Sequence, residues 1–272
     1  MRGAWPEPDG RAGDRTGEGL LAVKAVSFDL WDTVIHDDSD EPKRKAMGMR
    51  SKYDERRHLV WDALNRSGSD VTPEAVAEAY DRADAAFNKV WKDEHVTWPI
   101  RQRLAALLED LHLDLPAESM NKVVKAHEEM EFVVKPDPVF GAPEAIRDLA
   151  GRYRLCVVSD AIVSPGSVLR QLLRSYGIAH HFGAFAFSDE IGHSKPHPKM
   201  FHHVADELGV TFEEMVHVGD RDHNDIKGPQ ELGMKAVLFT ATRDIDKDKT
   251  SADAVCERHA DLPGIIDRLA AS

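Results

Sequence analysis

An apolar run from Val23 to Phe28 predicts a short strand over residues 23–28. From about residue 42 to 131 the pattern is helical. Thr72 is placed to cap a helix, with Pro73 in the first turn and Glu74 behind it. Val76, Tyr80, Ala83 and Phe87 then recur at helical spacing. The stretches WPIRQRLAALLEDLHL and PAESMNKVVKAHEEMEFVV predict further helices, each opened by a proline. Beyond KPDPVFGAP the pattern changes to helices alternating with short apolar runs: RLCVVS, AFAFS, MVHVGD, AVLFT and ADAVC, with DLPGIIDRLA as a last helix. Such alternation predicts a parallel sheet with helical crossovers. The strands lack a polar face, as expected when both sides are covered. The expected fold class is α/β, a doubly wound parallel sheet interrupted after its first strand by an all-helical insert.

Composition narrows the function classes. The chain has 272 residues, 42% hydrophobic and 31% charged, in the range of a soluble globular protein. A net charge of −13 argues against nucleic acid, whose binding needs clustered Lys and Arg. No apolar run approaches the roughly 18 residues that span a bilayer, so no membrane partner is expected. Residues 1–21 lack the apolar core of a signal peptide and are rich in Gly, Pro and charge, which predicts a disordered tail. Two cysteines, Cys156 and Cys256, do not make a disulfide framework, and a cytoplasmic setting is expected. The sequence is silent on oligomeric state.

Open parallel sheets bind ligands beyond the carboxyl ends of their strands. The first strand ends in Asp29 and the second in Ser159-Asp160. The third is followed by Lys195, and the fourth by Asp220 and Asp225. Each alone has an ordinary explanation as a turn residue or a solvated lysine. Four strand ends in order, each with a suitable group, form a set that chance placement does not produce.

That set resembles the haloacid dehalogenase-like hydrolase superfamily. FDLWDTV is similar to its first motif, VVSD to its second, SKPHPKMF to its third and VGDRDHNDIKGPQELGMKAVLF to its fourth. The resemblance covers residues 23–272 and implies a Rossmann-like core over 22–39 and 137–272. The helical insert, 40–136, then takes the place of the family's cap domain, which closes over small-molecule substrates. By this resemblance Asp29 attacks a phosphoryl group and carries it as an aspartyl-phosphate. Magnesium (Mg2+) is held by Asp29, the Trp31 backbone carbonyl and Asp220, hard oxygen ligands that suit the ion. Asp225 orients Lys195 or water on the metal. Ser159, Asp160 and nearby backbone amides bind the phosphorylated substrate, and Lys195 offsets charge on nucleophile and phosphoryl group.

The departure is Trp31. Phosphatases of the superfamily read DxDGT, and the second aspartate protonates the leaving group and activates water. An indole carries one N–H donor and shuttles no proton. Three readings follow. The chain is a magnesium-dependent phosphatase, slow or matched to a good leaving group; or a 2-haloacid dehalogenase-type enzyme, a branch with an aromatic residue at this place and no metal; or an impaired member that binds a ligand or partner. The acidic Asp220, and Asp160 where dehalogenases carry asparagine, weigh against the second. Asp32 is expected to shape the turn. Of the neighbouring histidines, His193 and His223 carry no metal-binding spacing, and His197 is expected to shape its loop. Trp61, Trp91 and Trp98 read as packing within the insert, and Arg101 and Arg103 as a solvated helix face. TATRDIDKDKTSA reads as a solvated charged turn.

Overall fold

The computed structural model describes residues 22–272, so the expected tail at 1–21 lies outside the described residues. After β1 (Ala25–Phe28) come seven helices: α1 (Glu41–Ala46), α2 (Lys52–Arg66), α3 (Pro73–Glu94), α4 (Ile100–Asp110), α5 (Ala117–Glu128), α6 (Met130–Val133) and α7 (Ala142–Ala150). The chain then alternates through β2 (Arg154–Ser159), α8 (Gly166–Ser175), β3 (Phe182–Phe187), α9 (Ser188–Ile191), α10 (Pro198–Leu208) and β4 (Met215–Gly219). It ends with α11 (Gly228–Glu231), β5 (Lys235–Phe239), β6 (Ala254–Cys256) and α12 (Leu262–Ala270).

The strands form one sheet in the order β3-β2-β1-β4-β5-β6, every pair parallel. Successive residues point to opposite faces, and both faces are dry. Val26, Phe28, Leu155 and Val157 face Ile146 of α7, Leu169 of α8 and Ile266 of α12. Ala25, Cys156 and Val158 face Met200, Phe201 and Val204 of α10. Phe28 pairs with Val157 on one side and Val218 on the other, so β1, β2 and β4 end level. The strand order reverses between β1 and β4, which puts a crevice beyond their carboxyl ends.

The helical insert carries its own core, with Val60, Leu64, Tyr80, Leu104, Leu107 and Val124 buried together. Its helices start where the sequence marks them. Thr72 caps α3 by accepting the Ala75 N–H at 3.2 Å, and Ser51 caps α2 by accepting the Asp54 N–H at 3.0 Å. Pro99 and Pro116 stand at the N-caps of α4 and α5. No helix among the described residues is long and apolar enough to cross a membrane.

Two buried histidines make the fold acid-sensitive. His127, in the insert, stacks on Tyr80 and spends one ring nitrogen on the Val123 carbonyl at 2.8 Å. His259, in the core, spends one on the Thr33 carbonyl at 2.7 Å. Burial pushes both down to about 4. A folded-state pKa below the unfolded one means that the unfolded chain binds more protons between the two values. Each neutral imidazole therefore contributes stability that is complete above about pH 6.5 and lost as pH falls towards 4. His127→Phe removes one such site. Its stability relative to wild type is expected to rise by up to about 1.4 kcal/mol for each unit that pH falls across that window, read by urea unfolding at several pH values. A difference that stays flat with pH contradicts this.

Candidate active site

Asp29, Ser159 and Asp220 meet because the strands that carry them are neighbours and end level. Asp29 is 6% exposed; its N–H donates to the Val218 carbonyl at 2.9 Å, extending the β1–β4 ladder by one residue. The Lys195 ammonium, 3% exposed, donates to Asp29 Oδ1 at 2.6 Å and to Asp225 Oδ1 at 2.6 Å. Its own N–H donates to Asp160 Oδ1 at 2.9 Å, fixing the loop that presents it. Asp225 Oδ2 accepts the Arg221 N–H at 3.0 Å. Gly219 makes this possible, since a Cβ there would collide with the Asp225 carboxyl.

One buried cation thus sits among four buried carboxylates, with the partly exposed Arg221 and Arg243 each approaching Asp220 Oδ2 no closer than 3.9 Å. Burial would pull the Lys195 ammonium down, but Asp225, Asp29 and Asp160 hold it well above its usual range. Burial works against the charge of Asp225, yet Lys195 and His217 outweigh it and keep the carboxyl strongly acidic. Burial raises Asp29 and pushes Asp160 up to about 7. Asp220 rises to about 8 through burial and the nearby Asp29 and Asp225. Carboxylate oxygens of Asp29, Asp220 and Asp225 lie within 4.8 Å of one another, and Asp220 Oδ2 is buried without a hydrogen-bond partner. The set suits a hard divalent cation: oxygen donors, excess negative charge and an orphaned lone pair. No backbone N–H among the described residues donates to the Trp31 carbonyl, which leaves that oxygen open as well. Ser159 Oγ is likewise buried and unpartnered, a donor with nothing to give to.

A family model of haloacid dehalogenase-like hydrolases matches residues 23–233. The chain belongs to this family of hydrolases. It is 28% identical to the glyceraldehyde 3-phosphate phosphatase of Methanopyrus kandleri over 89% of its length and 94% of the relative's. It is 31% identical to the phosphoserine phosphatase of Thermus thermophilus over 36% of its own length and 48% of the relative's. It is also 31% identical to the phosphoglycolate phosphatase of Salmonella typhi, over 47% and 51%. The chain thus spans about half the length of these last two relatives. In fold it is similar to a haloacid dehalogenase phosphatase from Thermococcus onnurineus (TM-score 0.61, 21% identity, 90% of this chain and 98% of the other). It is similar also to the 2-haloacid dehalogenase of Pseudomonas syringae (TM-score 0.59, 21% identity, 90% and 99%).

Within this haloacid dehalogenase-like site several residues differ from their sequence-based reading. Trp91 does pack on Phe87, but it also reaches over Asp29: with Trp31 it lines a chamber of about 40 Å3 together with Asp29, Asp160, Lys195 and Asp225. Arg103 is not a solvated helix face. It is 7% exposed, pairs with Asp84, and donates to the Ile162 carbonyl at 3.0 Å, tying the cap to the loop after β2. Its place on the stripe of Ile100, Leu104 and Leu107 was the available signal. The charged turn after β5 is also engaged. Thr242 donates to the Asp32 carbonyl, and Arg243 donates to the Asp220 carbonyl at 2.8 Å and to Asp246 at 2.6 Å. Asp32 itself sits at φ 55° and accepts the Asp37 N–H at 3.3 Å, shaping the turn as expected. His197 caps α10, accepting the Lys199 N–H at 3.2 Å.

His217 escaped sequence reasoning altogether. It is fully buried in β4, with Nε2 3.2 Å from Asp225 Oδ1 and Nδ1 2.8 Å from Ser27 Oγ. Burial lowers its pKa, so the ring is neutral. A carboxylate only accepts, so Nε2 carries the proton and Nδ1 accepts from Ser27. The ring therefore positions Asp225, and through it Lys195, from below the sheet end. A histidine between two valines of a fully buried strand was the signal.

Proposed function

We propose that this chain is a magnesium-dependent phosphatase that hydrolyses a small-molecule phosphoester through an aspartyl-phosphate on Asp29. The observation that carries the reading is the excess of buried carboxylate, Asp29 with Asp220 and Asp225, around the single ammonium of Lys195. That balance suits a divalent cation, which halide displacement at carbon does not call for. The full-length likeness to a phosphatase supports the same reading.

Asp29 would attack the phosphorus, held ionised and oriented by Lys195. Magnesium, bound by Asp29, Asp220, Asp225 and the Trp31 carbonyl, would supply the charge that lets an anionic nucleophile approach an anionic phosphoryl group. Lys195 would lie against the same phosphoryl oxygens. Ser159 Oγ would find its missing partner there, and Asp160 would hold the Lys195 loop in place. The partner would be a small phosphorylated molecule; the net charge of −13 argues against nucleic acid. Two buried free thiols suit a cytoplasmic setting. The test is phosphate release from a panel of phosphomonoesters, run beside chloride release from 2-chloropropionate. Phosphate release that chelator abolishes supports the reading, and chloride release without metal overturns it.

Trp31 sets the leaving-group requirement. Trp31→Asp introduces a protonating carboxyl, and turnover of alkyl phosphates is expected to rise about 100-fold, the lower end of general acid–base effects. In kcat/KM, which reads phosphoryl transfer to Asp29 and not breakdown of the intermediate, aryl phosphates, which leave without a proton, are expected to gain far less. Equal gains for both would mean that Trp31 acts on something other than leaving-group departure.

A further inference from the structure

The chamber over Asp29 has an extension that the phosphoryl group does not need. Trp31, Ile162 and Arg221 line the chamber and also a second cavity of about 190 Å3 between the core and the cap. These three side chains form a neck. A phosphoryl group on Asp29 fills the small chamber, so the rest of the substrate extends beyond it: past this neck into the basin, or on the other side into a cavity of about 250 Å3 that shares Trp91, Lys195 and Asn224 with the chamber. The basin is the one that offers an unspent guanidinium.

The basin's charges are unevenly spent. Lys52, 5% exposed, is surrounded by acids: Asp40 at 2.9 Å, Asp38 at 3.0 Å and Glu131 at 3.5 Å. Glu131 also accepts from the Ser164 hydroxyl, and Asp37 accepts the Asp38 N–H at 2.9 Å. Asp38 and Glu131 are therefore paired, whereas Asp37 has no ion-pair partner among the described residues. Arg56 is largely unspent. Its side chain is 19% exposed, its one ion pair is a long 3.5 Å approach to Glu131, and its Nε is buried without a partner. Arg221, in the neck, has a single long approach to Asp220 at 3.9 Å. A guanidinium offers five N–H donors in a planar fork that matches a carboxylate, so Arg56 holds most of its donor capacity in reserve. Its place on α2 explains its direction: Lys52, Arg56 and Val60 follow one another at four-residue spacing along the inward stripe.

We infer that the basin selects phosphomonoesters whose short alcohol ends in a carboxylate, with Arg56 as the group that receives it. The inference rests on the phosphatase reading of the same site. A carboxylate there completes the fork of Arg56 and satisfies its buried Nε. An uncharged end leaves both as they are.

The test uses para-nitrophenyl phosphate as reporter substrate and two competitors that differ at one end, 2-phosphoglycolate and ethyl phosphate. With wild type and magnesium, the inhibition constant of 2-phosphoglycolate is expected to be about 10–100-fold the lower, the range of a hydrogen bond to a charged group. In Arg56→Met, with folding checked by thermal unfolding, the ratio is expected to fall to within about threefold. Arg56→Lys, which keeps the charge and loses the fork, is expected to lie between. Equal inhibition by the two competitors in wild type, or an unchanged ratio in Arg56→Met, overturns the subsite and leaves the phosphatase reading standing. No magnesium-dependent hydrolysis of the reporter overturns that reading and the subsite with it.

Discussion

Asp29→Asn is expected to lower magnesium-dependent phosphoester turnover by at least about 10⁴-fold while making the metal-free protein more stable. The loss follows from chemistry: an amide oxygen does not form the covalent intermediate, and removal of a nucleophile is among the largest single-residue effects known in enzymes. The gain follows from electrostatics. Burial raises the Asp29 carboxyl, and Asp225 raises it further against the pull of Lys195. A folded-state pKa above the unfolded one means that ionised Asp29 costs stability, and the cost grows as pH rises above about 4. Asparagine keeps the shape and removes the charge. The thermal midpoint of Asp29→Asn, without metal, should therefore exceed that of wild type at pH 7, and the gap should close towards pH 4. A lower midpoint at pH 7 would mean that the Lys195 contact outweighs carboxylate repulsion.

Lys195→Met is expected to fail in both respects. Turnover should drop about 10³-fold, because the phosphoryl group and the nucleophile lose their fixed cation. The metal-free protein should lose about 3–5 kcal/mol at neutral pH, the usual effect of removing one partner of a buried ion pair. Asp29 and Asp225 are left facing each other, and Asp225 loses the ammonium that opposes the cost of its burial. The deficit should shrink as pH falls and the stranded carboxylates take up protons. Magnesium should also recover part of it, since a divalent cation bound by the same carboxylates replaces the missing charge. Urea unfolding with and without magnesium reads both effects. A deficit unaffected by magnesium would place the lysine's contribution in packing and not in charge.

The sheet and the strand-end residues were legible because both rest on local chain chemistry. Apolar runs that are buried on both faces read as parallel strands. A carboxylate closing such a run reads as a site because nothing in packing asks for it. Asp29 and Asp220 stand at such places and Ser159 ends its strand, while Lys195 lies on the loop between α9 and α10. The rest depends on contacts between distant segments. Trp91 follows Phe87 by one helical turn and looks like packing in sequence, yet the end of α3 lies over Asp29. Arg56 looks like any helix-surface arginine until Lys52 and Val60 are seen to share its stripe and its buried Nε is seen to lack a partner. The loop holding Thr242 and Arg243 is polar throughout, so periodicity says nothing about it. Its role comes from the fold, which lays it against Asp32 and Asp220. His217 and Arg103 were readable in principle, as polar residues on buried stripes that demand partners.

The claim on which all of this turns is that Asp29 carries the phosphoryl group. Trp31 activates no water, so breakdown of the intermediate should be slow enough to trap it. Metal-loaded wild type is mixed with para-nitrophenyl phosphate, quenched in acid and digested, and the peptide containing Asp29 is weighed. The account predicts one added phosphoryl group on that peptide, dependent on magnesium and absent from Asp29→Asn. Substrate turnover with the Asp29 peptide unmodified, or a phosphoryl group on another residue, would contradict it.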